Sequence, residues 1–179
     1  MPTPLVLSQN ARHVKFVQSC RVCGHSYSAR PKEPPLSRPA LSIHETIAAA
    51  PDEVWAALTD WDNAHLWMPG IEWMRAHGDT AAGTVIGFRA RGRDREAVIA
   101  SLHPGRSLVL RSTQGGVTAD YHYELRHIDD HTTRVGLRAT CRTQGPVWAA
   151  LSPVLRLAMR RADRCQLARL KLVAEAGAR

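Results

Sequence analysis

Few side chains in this sequence are arranged to do chemistry. The ones that matter are polar groups set among apolar neighbours. Glu45 alternates with Leu41, Ile43 and Ile47. A carboxylate on an apolar face pairs with an arginine, sits at a strand edge in water, or has its pKa raised by burial. Tyr121 and Tyr123 share a face with Val117 and Leu125. Each brings an apolar ring and a hydroxyl that needs a partner, the equipment to fix an oxygen of a bound molecule. Trp61, Trp67, Trp73 and Trp148 are a large tryptophan content for a small domain. Core filling is their ordinary use, and Trp67, on a short helix, is placed as a pocket lid. Glu45, Trp67, Trp73, Phe88, Tyr121, Tyr123, Leu155, Ala158 and Ala162 are the residues expected to line a ligand space. No catalytic residue is assigned. The chain has no Gly-x-Ser-x-Gly, no His-Glu-x-x-His, no phosphate-cradling glycine loop and no dinucleotide fingerprint. His44, His122 and His127 alternate with apolar residues and are expected to face water.

Cys20-Arg-Val-Cys23-Gly24-His25 has the spacing of one knuckle of a zinc ribbon. A turn of that length brings two thiolates to one metal, but zinc takes four ligands and no second cysteine pair follows. His13 and His25 complete no common pattern, so no metal and no cofactor are expected.

The elements that must position these groups can be read from periodicity. Alternation over Leu41–Ala48 is a first strand. Pro51 with Asp52 and Glu53 opens a helix, and Ala64 to Met68 forms a second short one before Pro69-Gly70. Strands follow at 71–77, 84–90, 95–102, 107–113, 117–128 and 133–143, separated by Gly-, Pro- and Asp-containing turns. From Pro146 to Ala176 runs one long helix with a kink expected at Pro153. Its apolar stripe is read as Trp148, Leu151, Leu155, Ala158, Ala162, Cys165, Ala168 and Leu172. Arg156, Arg160 and Arg164 form a basic row expected to be solvated. A membrane-surface role would need a large apolar face open to lipid, and the sheet is expected to take that face.

The net charge of +8 is uneven. Residues 1–40 carry six Lys+Arg and one Glu, and residues 41–179 carry eighteen and fifteen acids. Pro2, Pro4, Pro31, Pro34, Pro35 and Pro39 punctuate the leading segment. Residues 1–39 therefore read as a disordered basic leader and 40–179 as the folded domain. A basic pI is only the electrostatic prerequisite for nucleic acid, and no nucleic-acid partner is expected. No apolar run approaches the ~18 residues of a membrane span, and a cytoplasmic location is expected. The oligomeric state is not legible.

Ile47-Ala-Ala-Ala-Pro51-Asp-Glu-Val54-Trp55, Leu58-Thr-Asp60-Trp61 and Trp67-Met-Pro69-Gly70-Ile71 together resemble the opening of the START-like helix-grip superfamily. Within it, the nearest branch is that of polyketide cyclase/dehydrase and lipid-transport (SRPBCC) proteins. The resemblance spans roughly 41–176. It implies an α+β fold: a curved antiparallel sheet of about seven strands wrapped around a long C-terminal helix, with two short helices after the first strand. It also implies a hydrophobic cavity between sheet and helix. Ala158, Ala162, Cys165 and Ala168 facing Ala119 and Ala139 would underfill such a space. A small hydrophobic or aromatic molecule, polyketide- or lipid-like, is the expected partner. The alternative is a cyclase or dehydratase using cavity Tyr, Glu or Arg as acid–base groups.

Overall fold

A computed structural model describes residues 39–178 of the chain. The leader read over 1–39, with Cys20 and Cys23, lies outside the described residues but for Pro39. The elements run β1 (Leu41–Ile47), α1 (Pro51–Thr59), α2 (Ala64–Trp67), β2 (Ile71–Ala76), β3 (Val85–Ala90), β4 (Arg93–His103), β5 (Ser107–Gln114), β6 (Val117–Asp129), β7 (Thr132–Thr143), α3 (Pro146–Asp163) and α4 (Gln166–Gly177). The seven strands form one antiparallel sheet in the order β1-β7-β6-β5-β4-β3-β2. This is the α+β helix-grip arrangement, with two short helices after the first strand.

Strand register fixes which side chains share a face. Glu45, Val135 and Leu125 form one row across β1, β7 and β6. Ile43, Leu137 and Tyr123 form the next, continued by Leu108 of β5. Leu41, Ala139, Tyr121 and Leu110 follow, and then Cys141, Ala119 and Ser112. These rows face the helices. Most of the rows nearest Ile47 are buried, whereas Ser112, Gln114, Val117, Ala119 and Tyr121 are only half-buried.

Local chemistry sets the helix ends. The Glu53 carboxylate accepts the Ala50 N–H at 2.8 Å, holding the first turn of α1 behind Pro51. Thr133 is fully buried, and its hydroxyl donates to the Ala49 carbonyl at 2.9 Å. Lys171 donates to Thr46 O at 2.9 Å and Glu175 Oε1 accepts the Ala48 N–H at 2.9 Å, so α4 is clipped to the end of β1.

The closing helix departs from expectation twice. It is two helices, and the break falls at Arg164–Cys165 rather than at Pro153, which α3 carries without interruption. Cys165 has φ −96° and ψ 3°, in the bridge region, and there the helical ladder is interrupted. The face toward the sheet is also rotated by one residue from the expected stripe. Trp148, Ser152, Leu155, Met159, Ala162 and Asp163 turn inward on α3, followed by Gln166, Leu167, Leu170 and Ala174 on α4. Leu151, Ala158, Cys165, Ala168 and Leu172, expected inside, are exposed. The packing of small residues against Ala119 and Ala139 is therefore not formed by Ala158, Cys165 or Ala168. No helix among the described residues is long and apolar enough to cross a membrane.

Candidate functional site

The inward side of α3 lies over the half-buried end of the sheet, and the seam between them, the cleft, is bridged by the hydrogen bond between Tyr121 and Asp163. On the sheet side it carries Tyr121, Ala119, Ser112 and, beyond them, Phe88 and Arg95, which face each other across β3 and β4. On the helix side it carries Leu155, Arg156, Ala162 and Asp163. Trp148 anchors the start of α3 on the β5–β6 turn. A Cβ placed on Gly116 would lie 2.3 Å from Trp148 Cδ1 and 2.7 Å from Gln144 O, so only glycine permits the indole to lie there.

The polar centre of the cleft is Asp163. It is 9% exposed, and the Tyr121 hydroxyl donates to its Oδ2 at 3.1 Å. Burial pushes the Asp163 carboxyl above its usual range, against the pull of the Tyr121 hydrogen bond and the Arg91 charge. The same burial, reinforced by Asp163, holds the Tyr121 phenol well above its ordinary value, so it stays a donor. Tyr123, one row deeper, is buried and likewise raised, chiefly by desolvation, with Gln166 beside its hydroxyl. Arg91 reaches the pair electrostatically from the β3–β4 turn. There it holds φ 53°, an uncommon backbone state for a non-glycine residue. Arg95 and Arg156 each have a buried Nε with no hydrogen-bond partner among the described residues. Buried donors of this kind normally find one.

The expected site residues distribute unevenly over this geometry. Phe88 and Tyr121 are half-buried on the sheet, and Leu155 and Ala162 are half-buried on α3. Tyr123 lies on the same face but is sealed in the core. Trp67 is fully buried, packing edge-on against Tyr123 with ring centroids 5.9 Å apart, so it fills the core and guards no entrance. Trp73 pairs with Arg89 on the opposite face of the sheet and is 38% exposed, because the bulge between Ile71 and Trp73 shifts the alternation of β2. Ala158 faces away from the sheet. Glu45 is half-buried on edge strand β1, two rows from Tyr121, or ~13 Å along the strands. It has no ion-pair partner among the described residues.

Sequence reasoning misses Asp163, Arg91, Arg95 and Arg156 as site residues. One signal for Asp163 exists: it is the sole acid between Pro146 and Ala174. Read at four-residue steps from Leu155 and Met159, it falls on the inner stripe.

Comparison with solved structures finds the same fold. The ZhuI aromatase/cyclase of a Streptomyces species is 17% identical with a TM-score of 0.65, covering 78% of this chain and 94% of that one. A Thermus thermophilus protein is 16% identical with a TM-score of 0.61, covering 78% and 99%. The di-domain ARO/CYC protein BexL is 18% identical with a TM-score of 0.60, covering 73% of this chain and 44% of that longer one. No curated protein sequence matches the chain. The family model described as polyketide cyclase / dehydrase and lipid transport matches residues 39–175, well over half of the sequence, and the chain belongs to that family.

Proposed function

We propose that the cleft under α3 binds a hydrophobic, oxygen-bearing molecule of polyketide type. Asp163 and Tyr121 then act on it as acid–base groups, as a cyclase or dehydratase would. The observation that carries this reading is the Asp163–Tyr121 pair. Two titratable groups converge in a partly dry cleft, one with a carboxyl pKa raised toward the range where a base is useful. The aromatase/cyclase names among the structural neighbours support the same class.

The chemistry follows from the donors and acceptors. The Asp163 carboxylate removes a proton from the carbon between two carbonyls, and the C–H pair becomes the new C–C bond to a second carbonyl carbon. The alkoxide so formed takes that proton back from Asp163. For dehydration Asp163 takes the second proton of that carbon, the C–O bond breaks as the C=C bond forms, and Asp163 returns the proton to the departing hydroxyl, which leaves as water. Tyr121 stays protonated and donates to the carbonyl oxygen where negative charge develops. Arg95 and Arg156 would hold further oxygens of the chain.

Binding without turnover is the second reading, favoured by the mutual satisfaction of Tyr121 and Asp163 in the unliganded cleft. Titration with aromatic polyketide-like compounds, followed by tryptophan emission, tests binding. Ala162→Phe should block it with the fold intact. Turnover of a poly-ketone substrate tests catalysis. Asp163→Asn should keep binding and lose ~100-fold or more in rate, with a smaller loss for Tyr121→Phe. Unchanged turnover in Asp163→Asn would remove Asp163 from the chemistry, no turnover by the native protein would leave binding as the function, and no binding by any compound would remove both readings.

A further inference from the structure

The face of α3 turned away from the sheet is more apolar than the face turned toward it. Val147 is 68% exposed, Leu151 43%, Val154 64% and Leu157 54%. Val147, Leu151, Val154 and Ala158 recur at steps of four, three and four, so they lie along one line of the helix, with Ala150 and Leu157 beside it. Water-facing aliphatics at helical spacing are not scattered singles, which would need no explanation. Toward the C-terminal end of the same helix, Arg161 and Arg164 are exposed, whereas Arg160 donates through Nε to the Ala40 carbonyl. The helix contains one acid, Asp163, and it is buried against Tyr121 on the other side. The outward surface thus combines an aliphatic ridge with guanidinium groups and no carboxylate, over an 18-residue helix ~27 Å long.

We propose that this surface of α3 docks onto an anionic lipid membrane. The helix would lie in the plane of the interface, its aliphatics in the acyl boundary and its arginines among the phosphates. That is the pattern of an interfacial helix, in which apolar burial and attraction to anionic headgroups add. Two alternatives fit the surface less well. A second copy of the chain would bring arginines against arginines and offer no carboxylate on this face to meet them. A rigid acidic protein would find a convex ridge of short aliphatic side chains, with no pocket and no exposed aromatic anchor to fill one. A fluid layer closes around a ridge without needing either. Because α3 also walls the cleft, docking would bring that helix to the lipid phase. The inference stands on exposure and charge and does not depend on the chemistry of Asp163.

The test is flotation of the full-length protein with vesicles of phosphatidylcholine alone or mixed with phosphatidylglycerol, at low and high salt, beside light scattering in the absence of lipid. The expected result is binding to the anionic vesicles, weakened by salt. Leu151→Glu with Val154→Glu should reduce it ~10-fold or more. Arg161→Gln and Arg164→Gln should cost ~5-fold per arginine removed. All four side chains are at least 43% exposed or lie on the exposed surface, so melting temperatures should be unchanged. Should the glutamate pair unfold the protein, the arginine set and Val147→Ser carry the test. Binding that persists in every α3 variant would place the lipid contact elsewhere and overturn the proposal. Equal, salt-insensitive binding to neutral vesicles would overturn the electrostatic half and with it the assignment. Absence of vesicle binding also overturns it, and a dimer by light scattering that Leu151→Glu dissolves would make the ridge a self-interface.

Discussion

The two halves of the closing segment do opposite work on the same sheet. Under α4, Leu167, Leu170 and Ala174 join Ile47, Val54, Leu58, Trp67, Tyr123, Leu125, Val135 and Leu137 in a continuous buried core. Under α3, the inward residues Trp148, Ser152, Leu155, Arg156, Met159 and Ala162 are only half-buried, Asp163 is buried, and the sheet beneath keeps part of its surface open. The sealed half is apolar except for a few groups: Thr133 finds a partner in the Ala49 carbonyl, and Trp67 Nε1 and Gln166 Oε1 are buried without one among the described residues. The open half holds the raised Asp163 carboxyl, its tyrosine and two arginine Nε groups without partners. The tightly packed core and the proposed site are therefore separated along one helical segment, with the break at Arg164–Cys165 between them. Binding and catalytic elements are commonly drawn from the less stable parts of a fold, because they must admit a ligand.

The largest effect expected from this contrast is on stability. Leu170→Ala removes a side chain with no exposed surface from the α4 core and should cost ~2–5 kcal/mol. Leu155→Ala removes the same atoms from a half-buried site under α3 and should cost ~1 kcal/mol or less, since little of its burial is lost. Denaturant midpoints of the two variants measure the difference directly. Equal losses would mean that α3 is packed as tightly as α4, and the comparison would fail.

A middle-sized effect isolates the anchor of α3. In Gly116→Ala the new methyl meets Trp148 and the Gln144 carbonyl, contacts that a real side chain does not tolerate. The indole must leave, at a cost of ~1–3 kcal/mol. Hydrogen exchange should then quicken across α3 while the amides of Leu167 to Ala174 keep their protection. Uniform loss of protection over both helices would show that they unfold as one unit and that the break at Arg164–Cys165 has no energetic meaning.

How much of this is legible in the sequence differs between the same two regions, for a physical reason. The strands are legible because each buries one face, so alternation in 117–128 and 133–143 reports the register that places Tyr121 and Tyr123 inward. The helix–strand opening at Ile47 to Trp61 is legible from Pro51, its acids and its tryptophans. The stripe on α3 is not legible by hydrophobicity. That signal finds the most apolar line of a helix, and here Val147, Leu151, Val154 and Ala158 lie outside. The inner line carries Ser152, Asp163 and Gln166, polar residues that lower its apolar score. A one-residue error in the stripe follows, and with it the placing of Ala158 inside and the neglect of Asp163. Trp73 fails for a related reason: a bulge in β2 resets an alternation that the sequence alone does not flag.

The smallest expected effect tests whether the polar centre of the open half is held at the expense of stability. Burial raises the Asp163 pKa above its ordinary 3.8, so the folded protein binds that proton more tightly than the unfolded chain does. Between the two values the native state carries more protons, and stability must fall as pH rises through that interval. Asp163 thus stabilises the fold relative to a charged carboxylate only below its unfolded pKa, and the advantage is lost once pH passes the folded pKa. Asp163→Asn cannot ionise, and its Oδ1 still accepts the Tyr121 hydroxyl, so the variant lacks this slope. The melting temperature of Asp163→Asn should match wild type near pH 3.8 and exceed it by a few degrees at neutral pH. The same substitution at neutral pH should remove the proton-transfer chemistry, giving a more stable and less active protein from one change. A variant with the wild-type pH slope would show that Asp163 ionises without penalty, and that the open half is wet enough to hold a carboxylate as water does.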